Sequence, residues 1–247
     1  MSRGGFQPPL HMSINSQMGD SMKYQVFLVE DDININQILC TYLRNQDWAV
    51  SSFLTGGEAR QALTQRPHLW ILDIMLPEVD GFQLIREIKA DHPAVPVIFI
   101  SARDADIDRI VGLEMGSDDY MAKPFMPEEL VIRCRKLLQR VYEPKPDHKN
   151  GVLHRMGPYD LDENTRQVSN AEGRTIDLTT REFDLLSLLA RHQGQPLERE
   201  QILAAVWGLQ YYGSDRVVDD MVRRVRKKMP ALPLETIYGY GYRLVRK

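Results

Sequence analysis

Two patterns of apolar and polar residues alternate along the first 141 residues of the chain. Short runs that are apolar throughout are typical of buried strands in a parallel sheet, whereas apolar residues three and four apart are typical of helices. This alternation predicts an α/β fold with a doubly wound parallel sheet of five strands. The predicted strands are 24–29, 48–53, 69–77, 95–100 and 119–122, and the predicted helices are 33–43, 57–63, 81–90, 107–115 and 127–141.

The last third of the chain has a different pattern. Short segments at 156–161, 167–169 and 175–177 predict small antiparallel strands, and a capping sequence at Thr179–Glu182 begins a strongly apolar helix. A second helix is predicted at 198–207 and a third at 217–229. Strands at 234–237 and 242–245 then flank a glycine-bearing hairpin. Helices followed by a hairpin of this kind indicate a winged helix-turn-helix domain.

These patterns divide the chain into a disordered extension or tag (1–21), an α/β domain (22–141), a linker (142–154) and a winged-helix domain (155–247). Residues 1–149 hold 16 Lys and Arg against 21 Asp and Glu, and the remainder holds 15 against 13. This charge distribution favours a cation-binding site in the acidic first half and, less strongly, nucleic-acid binding by the mildly basic second half. Without a long apolar run or a signal peptide, we expect a cytoplasmic protein with no membrane partner, whose Cys40 and Cys134 are buried or neutral thiols.

Polar residues collect where the predicted strands end. Glu30 and Asp31 follow the first strand, Asp73 lies near the end of the third, Ser101 ends the fourth, and Lys123 follows the fifth. Carboxyl ends of parallel strands meet at one edge of a sheet. Clustered carboxylates repel and need a cation, and oxygen ligands favour Mg2+ over Zn2+. A carboxylate beside Mg2+, a hydroxyl and a lysine can accept a phosphoryl group.

Residues 23–141 resemble the CheY-like receiver domains of two-component response regulators. The motifs that carry the resemblance are LVEDD (28–32), LDIMLP (72–77), Gly81, SARD (101–104) and DDYMAKPF (118–125). The resemblance implies that Asp73 is the phosphoacceptor and that the Mg2+ ligands are Asp31, Asp73, the carbonyl of Met75 and, through water, Glu30. It also implies that Ser101 binds the phosphoryl group, Tyr120 turns inward as a switch, Lys123 pairs with the phosphate, and the bond before Pro124 is cis.

An output face is expected on 107–115, 119–122 and 127–140, where apolar residues are flanked by opposite charges. Such a surface suits a symmetric contact, although an ordinary helix surface is the simpler interpretation. In the family of regulators that the second half resembles, identified in the next paragraph, these positions form the dimer contact of the active protein. The implied interface residues are Arg109, Ile110, Leu113, Asp119, Glu129, Val131 and Arg133, with Arg109–Glu129 and Asp119–Arg133 pairs crossing it.

The helix at 217–229 is basic on one face and apolar on the other, which is typical either of a solvated surface helix or of a helix in the DNA major groove. Residues 155–247 resemble the OmpR/PhoB winged-helix output domain through LTTREFDLL, VWG, DRVVDDMVRRVRKKM and TIYGYGYRL. Several stretches are further similar to secretion-stress regulators (the CssR type) of Gram-positive bacteria. Asp220-Met221 stands where Val-His is frequent, and Tyr238 where a wing arginine is frequent. The predicted DNA-binding residues are Arg216, Asp220, Met221, Arg223, Arg224, Lys227 and Tyr238.

Together these features predict a non-enzymatic transcription regulator that a sensor histidine kinase activates by phosphorylating Asp73. Expected partners are double-stranded promoter DNA and a second copy of the phosphorylated chain, with RNA polymerase as a further candidate. One alternative is a Mg2+-dependent phosphatase or phosphotransferase with an aspartyl nucleophile. Such enzymes often carry an aspartate two residues after the nucleophile, and here that residue is Met75. A regulator that works without phosphorylation is a third alternative, against which the complete pocket argues.

Overall fold

The computed structural model describes residues 24–102, 115–143, 153–208 and 216–246. The predicted extension (1–21), all but the last residue of the predicted helix at 107–115 and most of the predicted linker lie outside these ranges. The expected interface residues Arg109, Ile110 and Leu113 therefore lie outside the described residues as well. Within the described ranges, none of the helices combines the length and the apolarity needed to cross a bilayer.

The first half contains a five-stranded sheet in which every neighbouring pair is parallel, in the order β2-β1-β3-β4-β5. This order is a doubly wound topology and confirms the predicted fold class. The strands are β1 (Gln25–Val29), β2 (Ala49–Phe53), β3 (Leu69–Asp73), β4 (Val97–Ser101) and β5 (Asp119–Ala122), and the helices are α1 (Ile33–Arg44), α2 (Gly56–Gln61), α3 (Gly81–Asp91) and α4 (Pro127–Tyr142).

Both faces of this sheet are covered, which is why β3 and β4 are apolar at every position before their last residues, Asp73 and Ser101. The side chains of β3 and β4 are buried throughout, and one apolar cluster lies on each side of the sheet. Cys40 and Cys134 are free and buried in the same cluster, as expected. Helix starts are fixed by aspartate and threonine caps, of which Asp32 and Asp80 accept backbone N–H groups at the starts of α1 and α3.

The second half has two small antiparallel sheets around three described helices. The elements are β6 (Leu153–Met156), β7 (Tyr159–Asp162), β8 (Gln167–Asn170), α5 (Thr180–Arg191), β9 (Leu197–Glu198), α6 (Arg199–Trp207), α7 (Arg216–Lys228), β10 (Leu234–Ile237) and β11 (Gly241–Leu244). The sheet orders are β6-β7-β8 and β10-β11-β9. Strand β9 pairs with β11 only because Gly241 has no side chain, since a Cβ there would lie 2.0 Å from the carbonyl oxygen of Leu197.

Two strand predictions in this half were wrong. The segment 156–161 is not one strand, because Gly157 has a positive φ of 65° and reverses the chain between β6 and β7. The segment 175–177 makes only an isolated bridge, between Thr175 and Ser169. Both errors come from short segments, in which a turn or a single bridge has the same residue composition as a strand.

The turn between β7 and β8 is attached to α5 through Glu163. Its carboxylate accepts hydrogen bonds from Arg191 (Nε, 2.7 Å) and Ser187 (Oγ, 2.9 Å), and it lies 3.1 Å from His154 Nε2. Burial alone would raise the pKa of Glu163, but Arg191 and Ser187 outweigh burial and hold this pKa at about 2. The ionised carboxylate therefore stabilises the packing of the small sheet on α5.

We predict that Glu163→Gln destabilises the winged-helix half at pH 7 by up to about 3 kcal/mol. Because the folded pKa lies below the unfolded value of 4.5, this stabilisation is present above pH 4.5 and is lost as the pH falls toward 2. The measurement is urea denaturation of both proteins between pH 7 and pH 3. Glu172→Gln, in an exposed turn of the same sheet, is the control. A difference in stability that does not shrink with acid would contradict this account.

Candidate functional sites

The structure brings the predicted polar residues to one edge of the parallel sheet. Glu30 follows β1, Asp73 ends β3, Ser101 ends β4, and Lys123 follows β5. Oxygen atoms of Glu30, Asp31 and Asp73 all lie within 4.8 Å of one another. Glu30 is 0% exposed and Asp73 is also buried, whereas Asp31 faces solvent. The pocket therefore has a closed inner side and an accessible outer carboxylate.

Lys123 holds the two buried carboxylates together. Its Nζ donates to both oxygens of Glu30, at 2.7 and 2.6 Å, and to Oδ2 of Asp73 at 2.7 Å. Burial by itself lowers the pKa of Lys123, but the hydrogen bonds to Asp73 and Glu30 prevail and raise it. Burial raises the pKa of Glu30, and Lys123 only partly opposes this effect. One ammonium thus counters two carboxylates, and the pocket keeps room for further positive charge.

Local backbone geometry fixes the orientation of Asp73. The N–H of Met75 donates to Oδ1 of Asp73 at 2.9 Å, which closes a tight turn after β3. The start of α3 passes close by, and a Cβ on Gly81 would lie 2.3 Å from the carbonyl oxygen of Asp73. Gly81 is therefore required by close approach of the backbone. The other oxygen, Oδ2, points to Lys123 and the shared carboxylate cluster.

Asn36 is a pocket residue that the sequence analysis missed. Its buried amide donates to the carbonyl oxygens of Glu30 at 3.0 Å and Phe53 at 3.3 Å, and so joins α1 to the ends of β1 and β2. A polar residue on the apolar face of a predicted helix is a visible signal, because a buried amide needs hydrogen-bond partners. Asn36 thereby positions the backbone of Glu30, a member of the carboxylate cluster.

Ser101 and Tyr120, the residues of the predicted switch, lie on the neighbouring strands β4 and β5. Ser101 is fully buried, and its carbonyl oxygen accepts the N–H of Lys123 at 2.7 Å. Tyr120 is buried among the apolar residues on the side of the sheet that packs against α3. The Lys123–Pro124 peptide bond is cis, as the resemblance implied. The switch residues and the lysine therefore belong to two neighbouring strands that end at the pocket.

The expected dimer surface needs one correction. Val131 is only 6% exposed and packs in the core with Leu130 and Cys134, because the buried face of α4 passes through it. Ile132, which is half exposed, is the apolar residue that α4 presents outward. The charged positions do cluster, and Arg133 binds Asp119 at 3.0 Å and Glu129 at 2.7 Å within the same chain.

Helix α7 is divided into a buried and a basic face. Val217, Val218, Met221, Val222 and Val225 are buried. Met221 is 1% exposed, so the prediction that it contacts a DNA base is corrected: the helical period places it in the core, one residue from Asp220 on the outer face. The side chain of Arg223 is 77% exposed and pairs with Asp220 at 3.3 Å. Arg216 and Lys227 are also exposed.

Arg224 has a different environment from Arg223. It lies 3.6 Å from the buried carboxylate of Glu182 on α5, which also binds Lys228 at 2.7 Å. A buried carboxylate requires compensating charge, so these two side chains help to hold α7 on α5. Arg224, one of the predicted DNA-binding arginines on α7, therefore pairs with a carboxylate inside the domain.

The wing is the hairpin of β10 and β11. Its tip carries Tyr238, which is 93% exposed. The base of the wing is attached to α7, because the hydroxyl of Tyr242 donates to Asp219 at 2.6 Å and Arg226 donates to Thr236 at 2.9 Å. Arg199 on α6 also binds Asp219, at 2.8 Å. The exposed residues of α7 and the wing tip therefore belong to one rigidly connected unit.

We predict that Lys123→Met lowers stability at pH 7 by about 3 kcal/mol, because it leaves two buried carboxylates without their cation. The loss should shrink as the pH falls, because a carboxyl whose folded pKa is raised gains stability on protonation below that pKa. Added Mg2+ should also reduce it. Denaturation of Lys123→Met and of Lys136→Met, an exposed control on α4, measures both effects. If Lys123→Met lost equal stability at pH 5 and pH 7, the loss would be due to packing of the lysine side chain and not to its charge.

Comparisons with known proteins match a different family model to each half of the chain. Residues 26–135 match the family model of the response regulator receiver domain, and residues 173–244 match that of the C-terminal domain of transcriptional regulatory proteins. The chain is 56% identical over 225 residues to the transcriptional regulatory protein CssR of Bacillus subtilis, covering 91% of this chain and 99% of that protein. It is 38% identical to the sensory transduction protein RegX3 of Mycobacterium tuberculosis, covering 89% and 98%.

A solved structure supports the fold. A mutant of the protein RitR aligns with a TM-score of 0.67 over 90% of this chain and 98% of that chain, at 23% sequence identity. At this identity the likeness shows only a shared architecture. The two family matches and the CssR alignment are the stronger findings, because they span both halves. The chain belongs to the OmpR/PhoB family of response regulators, in which a receiver domain precedes a winged-helix DNA-binding domain that regulates transcription.

Proposed function

We propose that a sensor histidine kinase transfers a phosphoryl group to Asp73 and that this modification activates the chain for promoter binding. The observation that carries the proposal is the hydrogen bonding of Lys123 Nζ to Asp73 and Glu30 at the carboxyl edge of the sheet. An ammonium in this position can follow the charge of Asp73 when the carboxylate becomes an acyl phosphate. Phosphorylation adds a charge of about −1.5 to −2, for which the surrounding cations provide compensation.

Mg2+ fits the donor set of this pocket. Three carboxylates lie within one small cluster, so the donor set consists of oxygen atoms and includes no histidine or cysteine. Asp31 and Asp73 would hold the ion directly with the carbonyl of Met75, and Glu30 would act through water. Bound Mg2+ supplies positive charge to the phosphoryl oxygens. In this proposal the carboxylate of Asp73 attacks the phosphorus of the kinase phosphohistidine, and the phosphorus–nitrogen bond breaks so that the kinase imidazole leaves. Lys123 pairs with the negative charge of the transferred phosphoryl oxygens.

Ser101 and Tyr120 would transmit the modification. The hydroxyl of Ser101 ends the strand beside Asp73 and can donate a hydrogen bond to the phosphoryl group. Tyr120 is on the adjacent strand β5, which continues into Lys123. A shift of Lys123 and Ser101 toward the phosphoryl group alters the space around Tyr120, so the modification biases two arrangements of β4 and β5.

The phosphorylated chain is proposed to form a symmetric dimer through β5, α4 and the segment that includes Arg109, Ile110 and Leu113. Exposed Ile132 and the charged residues Asp119, Glu129 and Arg133 support this choice. In the described chain Arg133 pairs with both carboxylates internally. In the dimer, Asp119–Arg133 and Arg109–Glu129 pairs would cross the two-fold axis, where one surface must complement itself. Val131 is no longer included.

The DNA-binding surface is proposed to consist of the exposed face of α7 and the tip of the wing. Arg216, Arg223 and Lys227 are exposed cations that suit phosphates or base edges in the major groove. Asp220 can accept a hydrogen bond from a cytosine amino group. Tyr238 is neutral, so it gains little from the negative potential of a narrow minor groove. Sequence reading is therefore assigned to α7 rather than to the wing.

A Mg2+-dependent aspartyl phosphatase is the competing function. Such an enzyme needs an acid or base beside the nucleophile, and the residue two positions after Asp73 is Met75, whose thioether cannot transfer a proton. Its backbone N–H is used to orient Asp73. The chain is therefore proposed to act as a cytoplasmic regulator rather than as an enzyme, with promoter DNA, the kinase and RNA polymerase as partners.

We predict that a small phosphodonor labels the wild-type chain, that Asp73→Asn abolishes labelling, and that removal of Mg2+ does the same. Labelled wild type should sediment as a dimer, whereas Arg133→Glu should be labelled yet remain monomeric. Intact-protein mass spectrometry and analytical ultracentrifugation give the two readouts. Asp91→Asn is the matched control, because Asp91 is an exposed aspartate at the opposite end of α3 from the pocket. Undiminished labelling of Asp73→Asn would refute the pocket, and a monomeric labelled wild type would refute the dimer.

We further predict that Arg223→Ala weakens DNA binding by one of two routes. Loss of a base contact costs about 1–3 kcal/mol at one operator position, whereas loss of a phosphate contact weakens all sequences and reduces the salt slope by about one. Arg155→Ala, an equally exposed arginine on β6, should have neither effect. Tyr238→Arg should tighten binding at low salt beside A·T-rich sequence. The measurement is selection on randomised operators at two salt concentrations, and unchanged binding by Arg223→Ala would disprove the assignment.

A further inference from the structure

The wing is a short hairpin, and its direction depends on contacts with the rest of the domain. Strands β10 and β11 have four residues each, and the tip between them carries Tyr238 and Gly239, which has a positive φ of 72°. A two-stranded hairpin is at best marginally stable by itself in water. The orientation of the tip relative to α7 must therefore come from side chains that join the hairpin to other elements.

Tyr242 on β11 is the centre of these contacts. The residue is buried, and its hydroxyl donates to Oδ1 of Asp219 on α7 at 2.6 Å. The guanidiniums of Arg199, at the start of α6, and of Arg226 on α7 lie 5.2 and 5.7 Å from the centre of its ring, within the range of cation–π attraction. Burial and the hydrogen bond to Asp219 raise the pKa of Tyr242 to about 12, so its hydroxyl remains a donor at neutral pH.

The two arginines complete the connection between the wing and the helices. Arg199 donates from Nε to the same Oδ1 atom of Asp219 at 2.8 Å. Arg226 donates to the hydroxyl of Thr236 on β10 at 2.9 Å. Each strand of the wing is thus bound to α7, one through Tyr242 and the other through Thr236. We define the wing clamp as Arg199, Asp219, Arg226, Thr236 and Tyr242.

The wing clamp contributes more to the direction of the hairpin than to the stability of the domain. The side chain of Asp219 is 47% exposed, and ion pairs that face water add little to the free energy of folding. Hydrogen bonds nevertheless require a narrow range of distances and angles, so the clamp permits few orientations of the hairpin. We therefore expect a domain with a broken clamp to fold and to carry a wing with a wider range of directions.

On DNA, the direction of the wing corresponds to a distance along the duplex. When the exposed face of α7 lies in a major groove, a hairpin beside it reaches the adjacent minor groove about 5 base pairs away, which is half a helical turn. Arg223 on α7 and Tyr238 at the wing tip are the highly exposed side chains at the two ends of this arrangement. A tilt of the hairpin would move the tip along this groove or out of it.

We propose that the wing clamp fixes the spacing along DNA between the base pairs contacted by α7 and the minor-groove position contacted by the wing. The inference rests on the proposed DNA-binding surface and adds the residues that set its geometry. Asp219 and Tyr242 are positioning residues, because they act on DNA through the direction of the hairpin. Their hydrogen bond holds the wing in its binding orientation before DNA arrives, which reduces the free-energy cost of ordering it on binding.

The test uses Tyr238→Arg as a reporter in the full chain, treated with Mg2+ and a small phosphodonor. The guanidinium that it introduces favours a narrow, A·T-rich minor groove, so selection on randomised operators reports where the tip lies. With an intact clamp, A·T enrichment should occupy one position relative to the bases selected by α7. Added Tyr242→Phe or Asp219→Ala should spread the enrichment over neighbouring positions and weaken binding roughly threefold to tenfold, because a loosened wing has to be ordered on binding.

Glu235→Ala is the matched control for Asp219→Ala, because it also removes one carboxylate near the base of the wing. Glu235 pairs with Arg243 at 2.6 Å, and this ion pair joins β10 to β11 rather than the wing to α7. The control should keep the enrichment at one position. A contribution to folding alone would weaken binding to all operators and leave the position of the enrichment sharp.

An enrichment that stays equally sharp in both clamp variants would overturn the wing clamp and leave the DNA-binding surface intact. DNA binding by Tyr238→Arg without any A·T enrichment would also overturn it, because the tip would then lie outside the minor groove. A wild-type chain that binds no DNA would refute the DNA-binding surface and the clamp with it. Circular dichroism verifies the fold of each variant, and because Tyr242 and Asp219 lie on different elements, either variant alone decides the outcome.

Discussion

Two carboxylates, those of Glu30 and Asp73, are buried at the carboxyl edge of the sheet, and a single ammonium holds them there. Like charges in a buried place are tolerated only with a counter-charge, so the arrangement of β1, β3 and β5 depends on Lys123. The same constraint gives the site its chemistry. A pocket that contains more negative than positive charge is suited to a metal ion, and in the proposed function a phosphorylated Asp73 would require Lys123 to move.

The second half follows a related rule. Helix α7 buries five apolar side chains and carries six basic residues and two aspartates at its other positions. One buried carboxylate, Glu182 on α5, pairs with Arg224 and Lys228. These contacts attach α7 to α5, while Arg223 stays exposed. Positive charge on one helix therefore has two uses: part of it stabilises the packing of the domain, and part of it remains accessible to DNA phosphates.

The two halves meet through α5, where consecutive residues have opposite roles. Thr180 and Arg181 bind carbonyl groups of the receiver, whereas Glu182 binds the basic end of α7. One helical turn thus touches both the domain that is modified and the helix that is assigned to DNA. Because of this proximity, a structural change in the receiver can reach the winged-helix domain through directly contacting residues, without a long-range rearrangement.

The sequence by itself determined the five-stranded α/β fold, the charged residues of the pocket and the basic helix, because strand ends and helical periods follow from local residue order. It did not reveal that Asn36 supports the pocket. It did not separate β6 from β7, where Gly157 reverses the chain, and it placed Val131 and Met221 outside the core. Side chains of adjacent helix residues point in directions about 100° apart. A prediction that is wrong by one residue therefore places a core side chain on the surface. The partners of Arg224, Arg140 and Arg181 are distant in sequence. Only tertiary packing therefore decided which arginines stay exposed and which bind groups inside the protein.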